Sequence, residues 1–204
     1  MIPEALRVTL VLDLDGVVVT GNADGKPWYE NLERDLGIRP PDLQKLFFRS
    51  ADFSSLMVGQ ADLFEALRHV WPQLRCAASV EAFVDYWFSS HSGLDRDVLT
   101  AVDRVRHEGK PSFLATNQEH HRARYVWNTL GLSEHFDGMI YSAELGAQKP
   151  NPEFFARAVG RLPARKPGEI LFLDDSLANI EAAARSGWNA LHYRNIEDLR
   201  RALG

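Results

Sequence analysis

Short apolar runs separated by long intervals are the feature that most restricts the fold of this chain. The first, residues 8–12, contains only β-branched residues and leucine, as a strand buried on both faces of a parallel sheet does. Between the later runs, apolar residues recur at helical spacing, as in Ala123, Val126 and Leu130. Those later runs lie at residues 112–115, 139–141, 170–173 and 190–193. Strands that alternate with helices predict an α/β fold, a Rossmann-like parallel β-sheet flanked by helices.

The stretch between the first two predicted strands departs from this alternation. It contains successive helical patterns at residues 28–36, 41–48, 61–71, 80–89 and 97–106. Of the 21 aromatic residues in the chain, 11 lie between Trp28 and Phe88, and large rings fill the core of a small helical unit efficiently. We therefore predict an all-α cap at residues 21–105, inserted into an α/β core made of residues 1–20 and 106–204.

Aspartates directly follow two of the predicted strands. Asp13 and Asp15 come after the first strand, and Asp174 and Asp175 come after the fourth. Because ligand sites in parallel sheets lie beyond the carboxyl ends of the strands, these carboxylates are expected to converge. Like charges so close repel one another unless a cation lies between them, and hard oxygen ligands suit Mg²⁺. For either pair alone, the alternative is that each aspartate only caps a helix or forms a turn.

Polar residues also follow the second and third predicted strands. Thr116 and Asn117 end the second strand, and their hydroxyl and amide groups suit either phosphate binding or a helix N-cap. Lys149 precedes a predicted helix start at Asn151 and Pro152. A lone lysine before a proline is usually a solvated surface charge. At this edge of the sheet, however, it could neutralise a nucleophile and a phosphate together.

Four short motifs occur in a fixed order along nearly the whole chain. They are Asp13-Leu14-Asp15-Gly16, Leu114-Ala115-Thr116-Asn117, Lys149-Pro150-Asn151-Pro152 and Leu173-Asp174-Asp175-Ser176. In this order they resemble the motifs of the haloacid dehalogenase-like (HAD) hydrolase superfamily, subclass I. The helical insertion is similar to the α-helical C1 cap of that subclass. Residues 172–193 resemble the branch that contains sugar-1-phosphatases and the N-terminal phosphatase domains of epoxide hydrolases.

The resemblance implies a Mg²⁺-dependent phosphatase that hydrolyses a small phosphorylated metabolite, such as a sugar phosphate or a similar phosphomonoester. Asp13 would attack phosphorus and form an aspartyl-phosphate, and Asp15 would protonate the leaving alcohol and then activate water. The Asp13 carboxylate, the Asp15 backbone carbonyl and Asp175 would hold the metal. Asp175 is chosen over Asp174 because it aligns with the acidic position that precedes Ser or Thr in the family motif.

The remaining motif residues receive supporting roles from the same resemblance. Lys149 would be catalytic, and Asp174 would orient Lys149 or a metal-bound water. Thr116 and the backbone of Asn117 would bind phosphate oxygens. Residues 17–25 match the flap hairpin of the family.

Asp15 also separates two reaction classes within the superfamily. Its dehalogenases usually carry tyrosine at this position, since a carbon–halogen bond needs no proton donor, so an aspartate favours phosphoryl transfer. A phosphomutase would use the same groups and stays open as an alternative. A non-catalytic binding module is the alternative from a different class, and the intact set of motif residues speaks against it.

Other residues near the motifs are expected to be structural. Arg49 and His91 flank cap helices and could touch a leaving group, but they are expected at the surface. Trp87 and Phe88 are expected in the cap core rather than as a sugar-stacking platform. Specificity is expected to lie in cap loops at residues 49–59 and 91–93. The basic residues after the second motif could add positive charge near the phosphate entrance, but they are predicted to form the solvated side of a helix; they are His120, His121, Arg122 and Arg124.

Composition excludes several other classes of protein. The formal net charge of −5 disfavours a generic nucleic-acid or anionic-membrane binder. The single cysteine, Cys76, cannot form an internal disulfide and fits a reducing compartment. The first apolar run is far shorter than the roughly 20 residues of a membrane span. We therefore expect a cytoplasmic protein that acts on a small molecule, with no nucleic-acid or membrane partner; no protein partner can be inferred.

Overall fold

Parallel strands form a five-stranded sheet in the computed structural model, which describes residues 8–21, 26–164 and 166–204. In chain order the strands are β1 (Thr9–Leu12), β2 (Ser112–Thr116), β3 (Gly138–Tyr141), β4 (Ile170–Asp174) and β5 (Asn189–His192). Their spatial order is β3-β2-β1-β4-β5, so β1 lies at the centre. Leu12 pairs with Leu114 on one side and with Leu173 on the other. The predicted α/β class is confirmed, and the ends of β1, β2 and β4 meet at one edge.

Helices of the cap follow β1. They are α1 (Leu32–Leu36), α2 (Pro40–Leu43) with a π-helical continuation (Gln44–Phe48), α3 (Ala51–Met57), α4 (Leu63–Leu74) and α5 (Val80–Ser90). The aromatic residues fill the cap core as predicted, with Trp87 and Phe88 both buried in it. The expectation of a loop at residues 49–59 is wrong, because α3 occupies most of that segment. Ser50 caps α3 by accepting a hydrogen bond from the Phe53 N–H at 3.0 Å.

The remaining helices flank the sheet. They are α6 (Arg96–His107), α7 (His120–Arg124) with a π-helical continuation (Tyr125–Thr129), α8 (Ser142–Leu145), α9 (Pro152–Val159), α10 (Leu177–Arg185) and α11 (Ile196–Leu203). Asn151 caps α9 as predicted, since its side chain accepts the Glu153 N–H at 2.9 Å. None of the helices within the described ranges is long and apolar enough to cross a membrane.

Helix α6 packs on the sheet rather than on the cap. Its buried residues Val98 and Val102 lie in the same apolar cluster as Leu10 and Leu12 of β1. The chain leaves and re-enters the core at an antiparallel bridge between Val19 and Leu94. We therefore infer that the cap ends near residue 94, earlier than the boundary at residue 105. Of the expected flap hairpin, residues 22–25 lie outside the described ranges.

Candidate active site

The predicted site residues meet where β1, β2 and β4 end. Asp13 follows β1, Thr116 is the last residue of β2, and Asp174 is the last residue of β4. The parallel register places these ends side by side, because β1 is hydrogen-bonded to both of the other strands. Asp13, Thr116 and Asp174 are all buried there. The sequence motifs therefore come together through the topology of the sheet.

Lys149 lies between two aspartates at this edge. Its Nζ is 2.9 Å from Asp13 Oδ1 and 2.6 Å from Asp174 Oδ2, and all three side chains are buried. It also donates a hydrogen bond to the Ala115 carbonyl at 2.8 Å. The alternative of a solvated surface lysine is therefore wrong. A buried charge is tolerated only when it is paired and hydrogen-bonded, and Lys149 meets both conditions.

The charges of this group shift one another's pKa values. Burial raises the pKa of the Asp13 carboxyl to about 7, while Lys149 opposes the shift and Asp174 adds to it. Burial alone would lower the pKa of Lys149, but the carboxylates of Asp13 and Asp174 outweigh it, so the net shift is upward. The ammonium is thus held in its charged form beside a carboxyl group that is costly to ionise without a cation.

Asn117 fixes the backbone of Lys149. Its Nδ2 donates to the Lys149 carbonyl at 2.9 Å, and its Oδ1 accepts the Lys149 N–H at 2.8 Å. The side-chain amide is thereby used within the site, which leaves only the backbone of Asn117 for the predicted contact with phosphate. Thr116, immediately before it, is buried at the end of β2.

Asp174 and Asp175 differ sharply in their surroundings. Asp174 is fully buried and accepts hydrogen bonds from Asn179 Nδ2 at 3.0 Å and from the Ser176 N–H at 2.8 Å, besides its pair with Lys149. Asp175 as a whole residue is exposed, but its carboxyl group is partly desolvated on the side that faces the cluster. This partial burial, together with the charge of Asp174, raises its pKa. Asp174 is therefore saturated by protein donors, whereas Asp175 is available to a ligand.

The carboxylates of Asp13, Asp174 and Asp175 form an acidic cluster at which a metal ion could bind. Each offers an oxygen, and these oxygens all lie within 4.8 Å of one another. Gly16 makes room for the cluster: a Cβ there would lie 2.2 Å from Asp175 Oδ2, and its φ of +81° also favours glycine. Carboxylate oxygens are the ligands that Mg²⁺ prefers, so the residues present fit this ion.

Asp15 lies on the cap side of the site. Its Oδ2 accepts a hydrogen bond from Gln118 Nε2 at 2.5 Å, and His91 Nε2 is 3.6 Å from its Oδ1. That Oδ1 is buried and has no hydrogen-bond partner among the described residues. Burial lowers the pKa of His91. His91 therefore belongs to the site, and the expectation that it lies at the surface is wrong; Arg49, in contrast, is exposed.

Residues in and just before α7 make contacts beside Asp15 that sequence patterns did not reveal. Arg122 is buried, and donates hydrogen bonds to the cap carbonyls of Phe88, at 3.0 Å, and of His91. The predicted solvated position is thus wrong for Arg122, although it holds for the exposed Arg124. In the sequence, Gln118 could have been identified only by its position directly after the second motif.

A second contact joins α7 to the cap. His121 Nε2 lies 2.8 Å from Asp62 Oδ2, and its ring packs edge-on against Phe64 with a centroid distance of 5.0 Å. The hydrogen bond to His121 lowers the pKa of Asp62. His121 is therefore only partly solvated, and the prediction that it lies on the solvated side of the helix is also wrong. Together with Arg122, it connects the cap to the core beside Asp15.

Comparison with known proteins agrees with this arrangement. The sequence matches the family described as haloacid dehalogenase-like hydrolase over residues 8–187. It is 29% identical over 114 residues to bifunctional epoxide hydrolase 2 of Rattus norvegicus, which covers 54% of this chain and 20% of that protein. It is 32% identical over 90 residues to a phosphoglycolate phosphatase of Rhodobacter capsulatus, which covers 44% of this chain and 40% of that protein. The chain thus covers less than half the length of these two relatives.

A solved structure shares the fold. It is a HAD family enzyme from Bacteroides thetaiotaomicron in complex with magnesium and inorganic phosphate, with a TM-score of 0.75 and 23% identity over 92% of this chain and 94% of that one. The family match extends over nearly all of the sheet and cap described above. This chain therefore belongs to the haloacid dehalogenase-like hydrolase family.

Proposed function

We propose that the protein is a Mg²⁺-dependent phosphatase that hydrolyses a small phosphomonoester through an aspartyl-phosphate intermediate. The observation that carries the proposal is the buried Asp13 carboxylate, held 2.9 Å from Lys149 within a cluster of three carboxylates, with Asp15 two residues further on. The names of a phosphatase relative and of a structural neighbour bound to magnesium and phosphate support it.

Asp13 would act as the nucleophile. One of its carboxylate oxygens would form a bond to phosphorus while the bond between phosphorus and the leaving oxygen breaks. Lys149 contacts Asp13 Oδ1 and carries a positive charge that balances the negative charge of the carboxylate and of the phosphoryl group. Thr116 and the backbone N–H of Asn117, at the end of β2, would donate hydrogen bonds to the phosphoryl oxygens.

Asp15 would act as the general acid and then as the general base. In the first step, its protonated carboxyl would give a proton to the leaving oxygen, which departs as an alcohol. In the second step, the resulting carboxylate would take a proton from a water molecule that attacks phosphorus, and the bond between Asp13 and phosphorus would break to release phosphate. Gln118 holds Asp15 Oδ2 in place for both steps.

A bound Mg²⁺ would screen the negative charge that the nucleophile and the phosphoryl group share. The Asp13 carboxylate, the Asp15 backbone carbonyl and the exposed Asp175 carboxylate would hold it. Asp174 would act through Lys149, because its carboxylate is already hydrogen-bonded to Lys149, Asn179 and the Ser176 N–H.

Phosphate release from p-nitrophenyl phosphate, with Mg²⁺ and with a chelator, tests the proposal. We expect Mg²⁺-dependent turnover that is lost in Asp13→Asn, since an amide cannot serve as the attacking carboxylate. Asp85→Asn, a substitution at an exposed cap position, serves as the matched control and should keep wild-type turnover. Undiminished activity in Asp13→Asn would exclude the covalent route. Interconversion of sugar phosphates without phosphate release would indicate a phosphomutase instead.

A further inference from the structure

An aromatic cavity lies between the cap and Asp15. It has a volume of about 230 Å³, with Asp15, Gln118 and His91 among its polar lining and five aromatic rings of the cap among the rest. A second cavity of about 290 Å³ adjoins it and shares Trp28, Tyr29, Gln44 and Phe48 with it. Together they reach the size of ordinary small-molecule sites, about 300–1,000 Å³.

The rings that line this space are held in place but are not fully buried. Phe48 packs edge-on against Phe53, with a centroid distance of 5.2 Å, and against Trp87 at the same distance. Trp28 lies 5.8 Å from Trp87 at an interplanar angle of 32°. Trp28, Phe48 and Phe53 nevertheless keep part of their surface accessible, and they line the cavity. Aromatic rings that are fixed by their neighbours and still have accessible surface suit packing against another planar ring.

The same cavity is poorly suited to a second anionic group. Among its described lining residues, Arg122 is the only arginine or lysine, and its guanidinium is directed to the cap carbonyls of Phe88 and His91. Glu119 adds an acidic carboxyl group to the wall, and it accepts the backbone N–H of His121 at 2.6 Å. None of the described residues that line the adjoining cavity is charged. A carboxylate or second phosphate in this space would meet only this one guanidinium, two of whose nitrogens already donate to the cap.

We propose that this pair of cavities binds the leaving group, and that the preferred substrates are monophosphate esters of alcohols that carry a planar aromatic ring system, as nucleoside monophosphates do. The inference rests on the proposed phosphatase function, because it takes Asp15 as the residue beside the leaving oxygen. If the inference is right, phosphorylated acids and sugar phosphates without an aromatic ring system are not the preferred substrates.

Binding to the Asp13→Asn chain tests the ring preference separately from turnover. Calorimetry in the presence of Mg²⁺ compares adenosine 5′-monophosphate with ribose 5-phosphate, which lacks the base. We expect the nucleotide to bind at least about tenfold more tightly, the effect of one stacked base. 1-Naphthyl phosphate shows whether a simple aryl group is enough or a nucleoside is needed. Tighter binding than ribose 5-phosphate by either ligand supports the proposal. Equal affinity for these esters and ribose 5-phosphate, or tighter binding of phosphoglycolate, would overturn it.

Two matched variants locate the ring site. Phe53→Leu, made in the Asp13→Asn chain, changes a ring that lines the cavity, whereas Phe64→Leu changes a partly buried ring of the same cap that does not line it. We expect Phe53→Leu to reduce the affinity ratio between nucleotide and ribose 5-phosphate several-fold, and Phe64→Leu to leave the ratio as it is. Thermal unfolding of each variant verifies that it is folded. An equal loss of the ratio in both variants would contradict the assignment.

The two levels of the proposal fail in different ways. If the wild-type chain releases no phosphate from any ester while the nucleotide still binds more tightly than ribose 5-phosphate, the phosphatase function is wrong and the ring site stands. If phosphate is released from p-nitrophenyl phosphate but ring-bearing esters gain no affinity, the ring site is wrong and the phosphatase function stands.

Discussion

The ammonium group of Lys149 lies 2.9 Å from the Asp13 carboxylate, in a position where almost no part of either side chain reaches solvent. Without this ammonium, the fully buried Asp174 would lie beside Asp13 with no cation between them. Lys149 thus provides the positive charge around which the carboxylates gather before any metal binds. Its backbone is fixed by two hydrogen bonds that it exchanges with the Asn117 side chain, one donated and one accepted by that amide.

Replacement of Lys149 by methionine should destabilise the fold as well as abolish activity. Methionine has a similar volume, but it leaves two buried carboxylates unpaired, and removal of one partner from a buried ion pair costs about 3–5 kcal/mol. Urea denaturation in the absence of metal measures this loss. Lys26→Met is the control, because it breaks an exposed salt bridge to Glu30, a kind of pair that contributes about 0–1 kcal/mol. Similar losses in both variants would contradict a special role for Lys149.

Substitution of the two neighbouring aspartates should have opposite effects. Asp174→Ala removes the partner of Lys149, Asn179 and the Ser176 N–H, so we expect a loss of stability of about 3–5 kcal/mol. Asp175→Ala removes a carboxyl group whose pKa is raised by partial burial and by the charge of Asp174, so the metal-free protein should keep its melting temperature or gain slightly. Mg²⁺ affinity, titrated by calorimetry, should nevertheless fall in Asp175→Ala. Unchanged affinity there would move the metal role to Asp174.

Asp15→Asn should slow phosphoryl transfer in a way that depends on the leaving group. Its backbone carbonyl is kept, but the side chain can no longer give a proton, and such groups contribute about 10²- to 10⁴-fold. A nitrophenolate leaves without a proton, so its transfer should slow less than that of ribose 5-phosphate. Rapid-quench, single-turnover measurement of the phosphorylated enzyme separates this step from hydrolysis. Equal slowing for both esters would exclude Asp15 as the acid.

The sheet and the motif residues were predictable because their signals are local. Each strand is a short apolar run, and the rule that ligands bind beyond parallel strand ends places Asp13 and Asp174 together without any knowledge of side-chain contacts. Their convergence at one edge agrees with that expectation. The alternation of strands and helices also leaves residues 28–90 as an insertion, which the aromatic content marks as a unit with its own core.

Residues defined by distant contacts were not predictable in the same way. Gln118 reaches Asp15 across 103 positions of sequence, and Arg122 reaches the carbonyl of Phe88 across 34. A helical pattern places a charged residue on the polar face, but the cap covers that face here, and Arg122 is buried by it. Helix α3 was missed because its seven residues are too few for a clear periodicity.

Tyr193 should make stability sensitive to alkaline pH. Burial raises its pKa from 10.0 to about 12, with further contributions from Asp95 and Asp198. The neutral phenol is therefore favoured in the folded state, so its contribution is complete below pH 10 and is lost as the pH rises from 10 towards 12. The full loss amounts to about 2–3 kcal/mol. Since the Tyr193 N–H donates to the Asp174 carbonyl at 2.9 Å, the loss affects a segment that supports the site.

Tyr193→Phe tests this pH dependence, because phenylalanine keeps the ring and cannot ionise. The free energy of unfolding, measured with urea at pH 8 and at pH 11.5, should decrease less in the variant than in the wild type. Groups that titrate in both proteins cancel in this comparison, so the difference between the two decreases isolates Tyr193. We expect it to be about 2 kcal/mol in favour of the variant. Parallel decreases in the two proteins would show that the phenol ionises equally in the folded and unfolded states.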